Sequence, residues 1–163
     1  MRHNKARLFV FAIAVLSASI GQLEAEEKNL GEMLSDSRWD RLIGTWVDEN
    51  TKGTIATTTY AWKYKGHAIE STSKMGDLSA SALIGRNADS GEVFHMGVDS
   101  KGGSSLGKWT FDADEAVLEL GFTSAEGQLG GLKIKHLLKD DNTLIVTIYS
   151  VEPITLKMIL NTN

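Results

Sequence analysis

Three histidines lie outside the N-terminal segment, His67, His95 and His136, and beside them the chain spells Gly103-Ser104-Ser105-Leu106-Gly107, a G-x-S-x-G match. With Asp112 and His136 following, the order Ser, Asp, His is that of an α/β-hydrolase triad. That chemistry needs the serine on a sharp turn between a strand and a helix of a large parallel sheet. Here Lys108-Trp109-Thr110-Phe111 reads as another strand, so Ser105 is expected to be no nucleophile. Gly102, Gly103 and Gly107 are expected to supply hairpin-loop backbone angles instead.

Gly102 to Lys108 also fits G-x-x-x-x-G-K, yet Trp109 stands where a phosphate loop needs Ser or Thr, and no helix follows to face a phosphate. The histidines form neither His-x-His nor His-Glu-x-x-His, and there is no cysteine, so no metal site or cofactor is expected. Asp112 with Asp114 and Asp140 with Asp141 fall in turns, where Asp is favoured for its local side-chain bonds to backbone. No buried acid/base pair stands out, and no catalytic residue is assigned.

His67 borders the Lys65-Gly66 turn and reads as solvated. His95, flanked by Phe94, Met96 and Val98, reads as an outward or rim residue, with a place at a barrel mouth as the alternative. His136 shares a face with Leu132, Ile134 and Leu138, which makes it a core histidine or a polar contact in a cavity. The aromatics Tyr60, Trp62, Tyr64, Trp109, Phe111 and Phe122 fall on apolar faces, as a packed core or as the wall of a pocket. Small polar residues at inward positions, Ser71 and Ser73 and in addition Thr147 and Tyr149, favour a pocket, since buried hydroxyls need partners. The candidate cavity set is therefore Tyr60, Trp62, Tyr64, Ser71, Ser73, Trp109, Phe122 and His136. Trp46 reads as a plug at the barrel base.

These residues need a scaffold, and the sequence describes one. From Glu26 to Arg41 the apolar spacing of Leu30, Met33, Leu34 and Trp39 suggests a short helical lead-in, placed at residues 26–43. From Gly44 the period becomes two, in runs rich in Thr, Val, Ile and aromatics cut by Gly, Asn and Asp clusters, the pattern of consecutive hairpins. Nine cuts predict ten strands, and the single proline, Pro153, lies in the last turn. Alternation such as Lys133-Ile134-Lys135-His136 gives one wet and one buried face. Closure into an all-β, up-and-down antiparallel barrel over residues 44–163 removes the exposed edges. A two-sheet sandwich is the alternative.

Upstream, Arg2, Lys5 and Arg7 precede an apolar run from Leu8 to Ile20 and a small residue, Ala25, the layout of a signal peptide over residues 1–25. The run is too short to span a bilayer, which takes about 20 residues. The expected product is exported, periplasmic or secreted, begins near Glu26 and has no integral membrane span after cleavage. Three basic residues and Glu24 leave with the segment, so the remainder is more acidic than the whole chain's −4. An acidic surface without a basic cluster argues against nucleic acid. Absence of cysteine rules out disulfides and fits a bacterial envelope.

The stretch Trp39-Asp40-Arg41-Leu42-Ile43-Gly44-Thr45-Trp46 places Gly-x-Trp at a first strand after a short helix, and in this it resembles the calycin superfamily of lipocalins and fatty-acid-binding proteins. With Trp62, Asp99 to Gly103 and Gly107-Lys108-Trp109, the chain from Trp39 to Met158 is similar to the lipocalin-like domains of uncharacterised bacterial exported proteins. The resemblance implies a barrel and little more, because that family carries no settled activity. The haem-binding branch of the superfamily uses a histidine near the chain end, which is absent from Ile154 to Met158. The expected function is a binding module for a small, mostly apolar ligand. An enzyme using His136 or His95 in the cavity, or a packed barrel that binds an envelope protein, are the alternatives.

Overall fold

The computed structural model describes residues 27–162. The expected signal segment and the start at Glu26 lie outside the described residues. The chain opens with a helix, α1 (Leu30–Asp36), in which Asn29 and Glu32 form a reciprocal capping box: the Asn29 side chain accepts from the Glu32 amide and the Glu32 side chain from the Asn29 amide. A single 3₁₀ turn (Trp39–Leu42) follows. Ten strands come next: β1 (Gly44–Asp48), β2 (Ala56–Tyr64), β3 (Ala68–Met75), β4 (Leu78–Arg86), β5 (Val93–Asp99), β6 (Ser104–Phe111), β7 (Glu115–Thr123), β8 (Leu129–Asp140), β9 (Thr143–Tyr149) and β10 (Ile154–Leu160).

Each strand pairs antiparallel with the next, and β1 pairs with β10 through Trp46↔Leu160, so the sheet is a closed ten-stranded up-and-down barrel. Closure leaves no unpaired edge among these strands. No helix among the described residues is long and apolar enough to cross a membrane.

The helical lead-in caps one end. Leu30, Leu34, Trp39 and Leu42 are fully buried there with Ile69 and Ile84 beneath them. The cap is tied down by polar bonds as well: the Gly31 amide donates to the Gly66 carbonyl at 2.9 Å, and the Trp39 indole Nε1–H to the Asp112 carbonyl at 2.7 Å. Trp46 donates in turn to the Leu42 carbonyl. The other end, ringed by the β1–β2, β3–β4, β5–β6, β7–β8 and β9–β10 loops, has no such cover among the described residues.

Glycine does two different jobs. Gly102 has φ +96° and belongs to a turn, as expected. Gly103 also lies in the β5–β6 loop, as expected, but without a positive φ, and Gly107 adopts none either and is no loop residue, which corrects its assignment. Gly107 lies within β6, where an added Cβ would stand 2.5 Å from the Glu119 carbonyl oxygen. Gly130 sits in β8 directly opposite Phe122, whose ring covers it, and Gly85 is covered likewise by Phe94. These glycines are needed for close approach across the sheet.

Candidate functional site: the barrel cavity

The inward face of each strand is fixed by its parity. On β2 the sequence Ala56, Thr58, Tyr60 points in, on β3 Ser71 and Ser73, on β8 Ile134 and His136, and between them lies a cavity of about 440 Å³. That volume falls in the range of small-molecule sites. Trp46, Trp109 and His136 form its floor against the capped end. Lys74, Met75, Leu78 and Asp99 stand toward the open end.

Six of the eight candidate residues line this space: Tyr60, Ser71, Ser73, Trp109, Phe122 and His136. Two do not. Trp62 pairs with Ile69 beyond the floor and packs against the capped core. The β2–β3 register then shifts between Trp62 and Tyr64, and Tyr64 ends 66 % exposed. A bulge re-aims the strand, so alternation cannot be extrapolated through it. Thr147 and Tyr149 are also corrected: on β9 the inward residues are Leu144, Val146 and Ile148, while Thr147 Oγ1 meets Thr155 Oγ1 at an exposed position and Tyr149 is largely exposed.

His95 lines the cavity, contrary to the expectation of an outward residue. Buried Val93 starts β5 directly opposite Trp109 and sets the parity, so His95, Gly97 and Asp99 turn inward. Met96 and Val98 face out with Leu106 and are 46 %, 62 % and 67 % exposed. Apart from Val93, this strand carries its hydrophobic residues on the outer wall. His67 is exposed beside the β2–β3 turn, as expected.

The electrostatics of the floor follow from burial. His136 Nε2 lies 3.4 Å from the Tyr60 hydroxyl, and its ring is 4.9 Å from that of Trp109. Desolvation lowers the His136 pKa to about 4, against the weaker opposing pull of the Ala116 and Ile134 backbone. Its ring is neutral at pH 7. Burial also raises the Tyr60 hydroxyl pKa and lowers that of His95. Neither His136 nor Tyr60 is poised near neutral pH, which is where acid/base catalysis works best. Three ring nitrogens, His95 Nδ1, Trp109 Nε1 and His136 Nδ1, are buried without a hydrogen-bond partner among the described residues. All three belong to side chains of this one cavity.

Ser105 lies in β6, followed by more strand, and lines the cavity wall. It is therefore not in a turn, which corrects that part of the reading. The cross-strand row of Ser105 runs through Phe122 and Gly130, whereas that of His136 runs through Ala116 and Phe111. Six residues of strand, about 20 Å at ~3.3 Å each, separate the two rows, so these residues form no triad. Asp112 has its carboxylate on the Ala113 amide. Among the described residues no cluster of three or more His, Cys, Asp or Glu side chains is placed to hold a metal ion. Compared with known proteins, the chain matches no family model and no curated protein sequence.

Proposed function

We propose that this chain is an exported binding module that takes a small, mostly apolar molecule into its barrel. The observation that carries the reading is the 440 Å³ cavity with a predominantly apolar lining, floored by buried aromatics and, among the described residues, capped at one end only. Close-packed interiors contain few voids larger than a water molecule. A barrel acting solely through its outer surface has no need of such a space, although the exposed Met96, Val98 and Leu106 are where an envelope partner would sit. The likeness to lipocalin-like domains and the signal-peptide layout support the same reading.

The test is a titration with the neutral apolar dye N-phenyl-1-naphthylamine. Saturable dye fluorescence is expected, with quenching of Trp46 and Trp109, the two tryptophans at the cavity. Ala82→Phe, which fills the space, should abolish the signal while a melting transition persists. Wild-type protein that gives no saturable signal would sink the proposal.

One observation favours a catalytic reading. Ser105 Oγ and His95 Nε2 lie 2.6 and 3.1 Å from the point where a Gly97 Cβ would stand, so the two groups are neighbours in the cavity. Against it, His95 Nδ1 has no partner, whereas a working base is oriented through its second nitrogen. Ser105→Ala is expected to leave hydrolysis of p-nitrophenyl butyrate at the background rate of the wild type. A selective loss of turnover by this variant, with melting unchanged, would establish the enzyme.

A further inference from the structure

The cavity has two unlike walls. Tyr60, Ser71, Ala82, Gly97 and Ser105 align as one cross-strand row over β2 to β6, so this half presents hydroxyls and small side chains. The half from β7 to β10 presents Leu120, Ile134, Leu144, Val146, Ile148 and Leu156, its polar members being His136 on the floor and Thr123 and Ser124 at the mouth. Small residues along one wall make the space, and hydroxyls on that same wall make it polar on one side.

Charge is confined to the mouth. Lys74 is exposed there, and the Asp99 carboxylate already accepts from the Lys101 and Gly103 amides at 2.8 and 2.9 Å. Deeper in, the two histidines are kept neutral by burial. A carboxylate or ammonium in this interior would be desolvated with no opposite charge, which is strongly unfavourable. A pure hydrocarbon fails differently: Ser73 Oγ meets Thr58 Oγ1 at 3.1 Å, but a hydrocarbon offers nothing to the Ser71 and Ser105 hydroxyls. The buried nitrogens of His95, Trp109 and His136, all on side chains that line the cavity, also lack partners among the described residues.

We infer that the ligand is uncharged and two-sided, a hydrocarbon skeleton whose hydroxyl or carbonyl oxygens lie along the side that meets β2 to β6. The inference rests on the binding-module reading and names the chemistry of its ligand. The cavity holds about fifteen water volumes at ~30 Å³ each, which sets the scale of the molecule.

The experiment is displacement of bound N-phenyl-1-naphthylamine by three matched compounds: 6-phenylhexan-1-ol, 6-phenylhexanoate and hexylbenzene. The alcohol is expected to bind at least roughly thirtyfold more tightly than the carboxylate, because only the latter carries a charge inward. Ser71→Ala and Ser105→Ala are each expected to weaken the alcohol by about three- to tenfold, the worth of one hydrogen bond, and to leave hexylbenzene unchanged. Dye binding by each variant confirms that its cavity is intact, and the two variants on β3 and β6 test the wall independently, so one that fails this check leaves the other to decide. A carboxylate that binds as well as the alcohol, serine variants that affect alcohol and hydrocarbon alike, or failure of all three compounds to displace the dye overturns the inference while the binding module stands. Wild-type protein that binds no dye overturns the module itself.

Discussion

Lowering the pH from 7 to 4 is expected to remove about 3 kcal/mol of folding stability through His136 alone. In the unfolded chain this histidine titrates near 6.5, as an unperturbed imidazole does, while in the fold burial lowers its pKa to about 4. Between those values the unfolded state holds the extra proton and the folded state does not. Stability is therefore fully present above about pH 6.5 and falls as pH drops toward 4. At ~1.4 kcal/mol per pKa unit the separation amounts to the stated loss. His95 shifts in the same direction and adds to it. The carboxyl groups of Asp99 and Asp140, lowered mainly by backbone amides of Gly103 and Asn142 respectively, lose their contribution only below their ordinary value of 3.8. The interval from pH 7 to 4.5 thus reports the histidines.

Urea unfolding at half-unit pH steps measures this, and His136→Phe is the control. The variant removes the titrating ring and leaves the Tyr60 hydroxyl without its 3.4 Å partner, so its stability at pH 7 is expected to be lower. Its slope between pH 6.5 and 4.5 should nevertheless flatten. A variant with the wild-type slope would show that His136 is already solvated in the fold, and the neutral floor of the cavity would go with it.

The difference between His136 and His95 shows where the sequence was legible. On β8, lysines at 133 and 135 mark the wet face and leave Ile134 and His136 inside, so polarity and parity agree. On β5 they disagree: His95, Gly97 and Asp99 turn inward, Phe94 and Met96 outward, and Val98, 62 % exposed, only edges the cavity mouth. Hydrophobicity reads that strand upside down. Its true phase is set by Val93 against Trp109 and by the need of Gly85 for a covering ring, both of which are cross-strand facts.

The ten-stranded closed barrel was readable because each strand carries its own alternation and each turn its own Gly, Asn or Asp. The cavity was only partly so. Aromatic side chains on an apolar face fit a core as well as a wall, and what separates the two is the size of the residues opposite them. The row Tyr60, Ser71, Ala82, Gly97 and Ser105 is spread over 46 positions of chain and becomes a row only when four registers are known. Trp62 keeps the parity of Tyr60 but lies beyond the floor, a depth that the period does not encode, and Tyr64 is turned out by a bulge, which has no periodic signature.

The largest single-site effect is expected at Trp39, which holds the cap on the barrel. Its side chain is wholly buried, its ring lies 5.9 Å from that of Phe111, and its Nε1–H crosses to the Asp112 carbonyl in the β6–β7 turn. Trp39→Ala is expected to cost about 3–5 kcal/mol, the range for emptying a buried aromatic site. For a domain of this size that lowers the melting temperature on the order of 10–20 °C and brings it close to the typical total stability of 5–15 kcal/mol. Trp39→Phe separates the two contributions. It keeps most of the apolar contact and loses the donor, so the Asp112 carbonyl keeps only the 3.2 Å bond from the Glu115 amide, at a cost of about 0.5–1.5 kcal/mol for the lost hydrogen bond. Trp39 does not line the cavity, so Trp39→Phe should bind N-phenyl-1-naphthylamine with wild-type affinity at temperatures where it is folded. A cap that merely rests on the barrel predicts the opposite pair of results: Trp39→Ala would melt within a few degrees of the wild type, and loss of the cap would open the floor and change dye binding. Calorimetry of the two variants together with the dye titration distinguishes a structural latch from a loose lid.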